Sequence, residues 1–444
     1  MNGYNLLKRS ANRGNSNNVW NVNSTGNVNN NNARNSNRSA PDCKLIENMT
    51  FGHRSDVLGE ILQGDCIPAE RQNTALVMPS PHNEVDGYVH LGQTFNEVES
   101  VVGFDALYRS LIKCQQGVMF KSSAAYYSLN FLEEILKQER ELMDGTYKQR
   151  QSYMFVKTKP KRREFLSISF RDRVYQRSLN DVIVYPALTK SLIYENMACQ
   201  KKKGTDAARQ LLKEHLRRMF RKHGTDFHVL QCDIKGYYPN LQHTVVKDKF
   251  KEKLPEHWYA RTETILNHQY TGDVGFNAGS QMVQIAGIAI LDELDHYIKE
   301  VLRPTCYVRY MDDFILLHKD NGYLSHCMEA IGEKLRDVQL SFNVKKTHVH
   351  HISRNITFLG FRFVVKDTGK VLMILLPKNI KERRVMLKKL TRKWLQGKLT
   401  FTQLQKSYEG WRAHAMKGDN RKAVYTMDAY FKALVQYHTE EIVA

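Results

Sequence analysis

Residues 306–318 read CYVRYMDDFILLH, two short apolar runs on either side of Tyr310-Met311-Asp312-Asp313. Valine, isoleucine, phenylalanine and tyrosine suit a pleated, half-buried surface. Two such runs around a very short polar centre predict two strands joined by a tight turn, with both acids at the turn. Adjacent carboxylates between hydrophobic strands repel each other, and a bound cation is the natural relief of that repulsion. Further back, FHVLQCD at 227–233 predicts another strand, ending on a third acid, Asp233. A single Asp at a strand end is most often a turn former or a helix cap. Three carboxylates brought to one end of an antiparallel sheet are a different matter.

Nucleotidyl transfer uses two divalent ions about 4 Å apart, one lowering the pKa of the attacking 3′-hydroxyl and one neutralising the departing pyrophosphate. Hard oxygen ligands suit Mg²⁺, and few protein ligands are needed because phosphates and waters complete the octahedron. The bulk composition agrees with a polyanionic partner. Lys and Arg number 66 against 46 Asp and Glu, a formal charge of +20 in 444 residues, which favours nucleic acid through counterion release. No run of about 18 apolar residues and no signal-peptide pattern is present, so the expectation is a cytoplasmic protein without a membrane partner. Seven cysteines form no C-x-x-C pair, which removes the common zinc and redox patterns. The run His348, Val349, His350, His351 lacks a partnering motif and is expected to be solvated or to contact backbone rather than metal.

Along the chain, residues 1–40 contain 15 asparagines and no acid. They show no apolar period and do not offset their own ordering entropy, so 1–75 is expected to be a disordered, low-complexity segment and linker. From Phe104 apolar stripes predict helices, notably over 124–143, 171–190, 205–221 and 281–300. Extended segments at 153–158 and 163–169 bracket a basic cluster that includes Lys161 and Arg163, as in a hairpin. After 376 the chain is helical and basic.

With these elements in place, YMDDF (310–314), DIKGYY (233–238) and FLGF (358–361) resemble the palm motifs of reverse transcriptases, in the family's order. FRDRVYQRSLNDVI (170–183), KKKGTDAA (201–208), GSQMVQ (279–284) and FNVKKT (342–347) resemble successive motifs of the bacterial members. The resemblance implies an α+β right-hand polymerase, with fingers and an antiparallel-sheet palm over 104–375 and a helical basic thumb over 376–444. It implies an RNA-directed DNA polymerase taking dNTPs, an RNA template and a DNA or RNA primer, with two Mg²⁺ ions for which Mn²⁺ substitutes. Asp233 and Asp312 would be the main metal ligands, helped by the Ile234 carbonyl, with Asp313 beside the primer end. Tyr238 matches the steric gate under the sugar, and Tyr237 beside it must face the opposite way. Arg163, and more weakly Lys161, match the clamp on the incoming triphosphate, for which the forked guanidinium is well shaped. Lys346 matches the general acid that protonates pyrophosphate, with Lys345 as its neighbour in the same motif. Gly204 and Thr205 match a template contact at a helix start. Phe358, Leu359 and Gly360 match the primer grip.

Within the family, most bacterial members carry a glutamine just before the position of Gly279, touching the nascent pair. This chain has Ala278 there, with Gln284 further along, and in this it is similar to the reverse transcriptases of diversity-generating retroelements. Val283 departs from that group's usual serine. The asparagine-rich start resembles the variable segment of such systems' target proteins, since both asparagine codons begin with two adenines. The group implies a small basic helical accessory protein as partner. The alternatives are a group II intron-type maturase, an antiphage-defence reverse transcriptase, and a nucleic-acid-binding protein on an inactive polymerase scaffold.

Overall fold

The computed structural model describes residues 19–22, 28–31, 97–158, 162–277 and 279–443. Within the asparagine-rich segment, strands β1 (Val19–Val22) and β2 (Val28–Asn31) pair as an antiparallel ladder, local pairing that the sequence reading did not anticipate. The rest of 1–75, and with it the expectation that the segment lacks a fold, lies outside the described residues.

The remainder divides into two compact units. The first takes the described residues up to Lys148 together with Ser169–Ser178. It holds helices α1 (Phe104–Gln115), α2 (Ser122–Leu129) and α3 (Phe131–Met143), and most of α4 (Phe170–Leu179). The stripe expected to run unbroken through 124–143 is split at Asn130, which caps α3. Leu107, Leu111, Ala124 and Ile135 make its apolar interior. A chain of polar contacts crosses it: Tyr127 donates to Gln138 (2.7 Å), and Gln138 donates to the Arg171 carbonyl (3.0 Å).

The second unit, Gln149–Ile168 with Leu179–Ala444, is built on a four-stranded antiparallel sheet. Its strands are β5 (His228–Asp233), β6 (Cys306–Tyr310), β7 (Asp313–His318) and β8 (His348–His351), in the order β6-β7-β5-β8. Its outlying hairpin, β3 (Tyr153–Lys157) with β4 (Arg163–Ser167), pairs Lys157 with Arg163. A three-stranded sheet of β9 (Ile356–Phe358), β10 (Phe361–Val365) and β11 (Val371–Leu375) follows.

Helix α5 (Thr205–His223) turns Ala208, Leu212, Leu216 and Met219 into the core shared by both sheets, where they meet Val229, Val308, Ile315, Phe361 and Phe363. Helices α6 (Gln281–Ala289) and α7 (Asp292–His296) replace the single helix expected over 281–300; the break falls at Ile290 and Leu291, where the apolar pattern continues and the sequence carries no Gly or Pro. Helix α8 (Asn321–Asp337) is capped by Asp320, whose carboxylate accepts from the Gly322 and Tyr323 amides. Such a cap contributes about 1 kcal/mol.

After β11 the tail folds as α9 (Pro377–Leu395), α10 (Phe401–Met416) and α11 (Arg421–Val443), around Leu387, Leu404, Tyr408 and Met427. Pro377 sits at the first turn of α9, where its missing N–H costs nothing. The tail is tied to β11 through Asp419 and Asn420, whose side chains accept from the Met373 and Leu375 amides, each at 2.8 Å. No helix among the described residues is long and apolar enough to cross a membrane.

Candidate active site

Three carboxylates gather at one end of the central sheet because of its register. Asp233, the last residue of β5, lies directly opposite Asp313, the first residue of β7. Directly opposed side chains share a face about 5 Å apart. Asp312 sits in the turn between β6 and β7, beside Met311, whose φ of 59° is left-handed. The Ile234 amide donates to the Asp312 carbonyl at 3.2 Å, so β5 and the acidic turn are joined at the main chain as well.

Burial and mutual repulsion raise the Asp313 carboxyl to about 7, with Asp312 and Asp233 both pushing upward after desolvation. Asp312 is raised for the same reasons, burial first and then Asp233, while the charges of Lys346 and Arg163 pull it down. Arg163, at the start of β4, is thereby placed within electrostatic reach of the acids.

The segment after α8 forms a clasp on Asp233. Lys346 Nζ donates to Oδ1 at 2.7 Å and Asn343 Nδ2 to Oδ2 at 3.0 Å. The Asn343 amide donates to the Asp233 carbonyl at 2.8 Å, and the Asp233 amide donates to Thr347 Oγ1 at 3.1 Å. The motif FNVKKT was legible as a unit, but only Lys346 was singled out. Asn343 and Thr347 are the residues missed, and the only signal for them was their place in that motif.

Tyr237 and Tyr238 correct the alternation argument. Residues Tyr237–Asn240 form a helical turn, entered through Gly236 in the left-handed region (φ 52°), so the two rings do not face opposite ways. They lie edge to face, 5.2 Å apart, and both approach Gly287 of α6. The Tyr237 hydroxyl donates to the Gly287 carbonyl. Tyr238, half-buried, directs its hydroxyl to Met311 Sδ at 3.9 Å.

Beneath the turn lies a fully buried ion pair. Arg309 Nε donates to Asp295 Oδ1 at 2.7 Å, and Nη2 to Oδ2. Tyr307 donates to the same Oδ1 at 2.6 Å. The remaining guanidinium hydrogens reach the Met311 and Ile288 carbonyls, both at 3.0 Å. Burial alone would lower the Arg309 pKa, but the Asp295 carboxylate more than reverses it, so the guanidinium stays charged.

This geometry coincides with a sequence match. Residues 157–363 match the family described as reverse transcriptase (RNA-dependent DNA polymerase), a span that contains all three acids and the whole clasp. Residues 157–363 form a reverse transcriptase domain. No curated protein matches the chain. Among the solved structures that resemble it are two at 14% identity. One is apo telomerase from Candida tropicalis truncated from its C-terminal domain, with a TM-score of 0.38 over 50% of this chain and 55% of that one. The other is telomerase from Candida albicans in complex with the TWJ fragment of telomeric RNA, with a TM-score of 0.40 over 65% and 56%. The chain spans little more than half the length of these structures.

Reverse transcriptase domains use divalent metal ions, and the donor chemistry here fits one: hard oxygens, crowded enough to shift each other's protonation. The oxygens do not converge on a single point, however. Among the described residues no three His, Cys, Asp or Glu side chains form a metal-holding group, and the Asp233 carboxylate is engaged by Lys346 and Asn343.

The other expected residues of the reverse transcriptase domain are placed unevenly. Gly204 is the N-cap of α5, with open space around it, and Thr205 accepts from Arg209 at 3.2 Å. Gly279 packs against a strand rather than open space: a Cβ there would lie 2.2 Å from the Leu166 carbonyl oxygen of β4. Gln284 is exposed on α6. Lys161 and Ala278 lie outside the described residues.

Phe358 does not fit a primer contact, since it is fully buried in the core. Only the Leu359–Gly360 turn between β9 and β10 is offered outward. Both residues have positive φ, 46° and 86°, which suits a two-residue hairpin but is unusual for leucine. Arg209, buried and stacked over Phe361 at 4.8 Å, donates to the Leu359 carbonyl at 3.0 Å and holds that conformation.

His350 is also not solvated as expected. It is 6% exposed on β8, and burial, then His348, Arg354, His228 and His351, lower its pKa to about 4. A histidine of the unfolded chain titrates near 6.5. Between the two values the unfolded state binds the extra proton, so His350 contributes full stability above about 6.5 and loses it as the pH falls toward 4. Urea midpoints measured from pH 7 to pH 4.5 are expected to fall more steeply for the wild type than for His350→Asn; parallel slopes would remove His350 from the account.

Proposed function

We propose that the chain is an RNA-directed DNA polymerase that copies a template-repeat RNA into cDNA with raised error at template adenines, as in diversity-generating retrohoming. The observation that carries the polymerase reading is the register that sets Asp233 opposite Asp313, next to Asp312 in the adjoining turn. The subtype rests on Ala278 in place of a glutamine. Exchanging an amide for a methyl removes a polar contact worth about 1 kcal/mol, enough to raise misincorporation several-fold.

In this reading Asp233, Asp312 and Asp313, with the Ile234 carbonyl, hold two Mg²⁺ ions, or Mn²⁺ in their place. When bound, these ions lower the pKa of the primer hydroxyl and neutralise the leaving pyrophosphate. Lys346, which donates to Asp233 Oδ1 at 2.7 Å, would give a proton to the departing pyrophosphate. Arg163 and Lys161 clamp the triphosphate. Tyr238 closes the space a 2′-hydroxyl would need, while Ala278, Gly279 and Gln284 border the nascent pair. Gly204, Thr205 and the Leu359–Gly360 turn position template and primer. The partners are dNTPs, the RNA template with a DNA or RNA primer, and a small basic helical accessory protein.

The test is primer extension on an RNA template with Mg²⁺, followed by sequencing of the products. Errors are expected to concentrate opposite template adenines. Uniform fidelity would favour a group II intron-type maturase or a defence enzyme, and absence of any DNA product from the wild type would sink the polymerase reading.

A further inference from the structure

We propose that Gly287 is a positioning residue for the nucleotide site: its lack of a side chain sets how far the Tyr238 ring stands back from the incoming sugar. This rests on the reading of Tyr238 as the sugar gate. Gly287 lies on the buried face of α6. A Cβ at that position would lie 2.8 Å from the Tyr238 hydroxyl oxygen, 3.1 Å from Cε1 and 3.2 Å from Cζ. Contacts below 3.0 Å are not accommodated without movement, so either the helix or the ring must yield.

The helix is held. Arg309 donates through Nη2 to the Ile288 carbonyl and through Nη1 to the Met311 carbonyl, so one fully buried guanidinium fixes the spacing between α6 and the acidic turn. The Tyr237 hydroxyl adds a bond to the Gly287 carbonyl itself. The ring is the softer partner: Tyr238 is half-buried, and its hydroxyl makes only a long contact to Met311 Sδ at 3.9 Å. A methyl group at 287 therefore displaces the Tyr238 ring from α6 and narrows the space beside the catalytic turn.

Steady-state incorporation of a dNTP and of the matching rNTP separates the possibilities. Gly287→Ala is expected to raise the KM for dNTP about fivefold or more with a smaller change in kcat, and to increase discrimination against the rNTP. Tyr238→Phe in the Gly287→Ala background removes the atom in closest contact and is expected to restore most of the KM. Wild-type KM and discrimination in Gly287→Ala would overturn the proposal. So would a KM increase of the same size when Gly287→Ala is compared within a Tyr238→Ala background, because the effect would then bypass the ring. Tyr238→Ala alone reads the gate: if it leaves rNTP incorporation unchanged, the gate reading fails on its own account. If Gly287→Ala does not fold, the comparison moves to thermal stability in the Tyr238→Ala background. Equal melting there supports the proposal, and failure of the double variant to fold overturns it.

Discussion

Asp312→Asn is expected to reduce primer extension on an RNA template by about a hundred- to a thousandfold, while leaving the protein folded and its melting temperature unchanged or slightly higher. The amide keeps the size and shape of the side chain, so the turn between β6 and β7 is not disturbed. What is lost is one of three negative charges crowded at the sheet end, where burial and Asp233 already raise the Asp312 pKa. Removing that charge relieves repulsion in the free protein, which accounts for the direction of the stability change. In the proposed reading it also removes a hard ligand for the cations, and loss of a single group that stabilises transition-state charge commonly costs two to three orders of magnitude. Extension and calorimetry on the same preparation check both halves. Activity within tenfold of wild type would mean that the carboxylates do not carry the reaction.

Asp295→Ala is expected to be the most damaging single change away from the acids. It strands the Arg309 guanidinium, 0% exposed, without its counter-charge, and breaking one side of a buried pair costs about 3–5 kcal/mol. The melting temperature is expected to drop by roughly 10 °C. The compensating double variant, Asp295→Leu with Arg309→Met, recovers much of that stability, because two well-packed apolar side chains replace the pair without a desolvation penalty. Activity does not recover with it. Arg309 also holds the Met311 carbonyl at 3.0 Å, in a residue whose backbone lies in the left-handed region. Without that bond the acidic turn is free to relax, and a tenfold or greater deficit in kcat is expected to remain. A double variant that regained full activity would reduce the pair to a purely structural element.

Much of this molecule was legible from local pattern. The strands on either side of the Met311-Asp312 turn, the strand ending at Asp233, the basic hairpin and the helical tail all appear where short-range apolar periodicity placed them. The misreadings share a cause. Asn343 and Thr347 touch Asp233 across 110 and 114 residues, and no local pattern reports such a meeting. The alternation assigned to Tyr237 and Tyr238 assumed an extended backbone, whereas Gly236 starts a helical turn. Phe358 matches the primer grip only by resemblance, while its own side chain lies in the core, where an apolar strand residue belongs, and the motif reaches solvent at the Leu359–Gly360 turn. The interruptions at Asn130 and at Ile290–Leu291 fall where the apolar stripe continues, so periodicity alone runs through them.

The strand order β6-β7-β5-β8 also has a temporal meaning. During synthesis β5 emerges well before the hairpin that supplies Asp312 and Asp313, and longer still before the segment that clasps Asp233. Pairings this remote in sequence must close large loops before any contact rewards them, which makes such sheets slow to assemble. Helix α5, adjacent to β5 and rich in local contacts, forms early by comparison. A nascent or incompletely folded chain therefore presents the basic helix α5 before it possesses an assembled set of acids, and its positive charge is in place before its carboxylates are gathered.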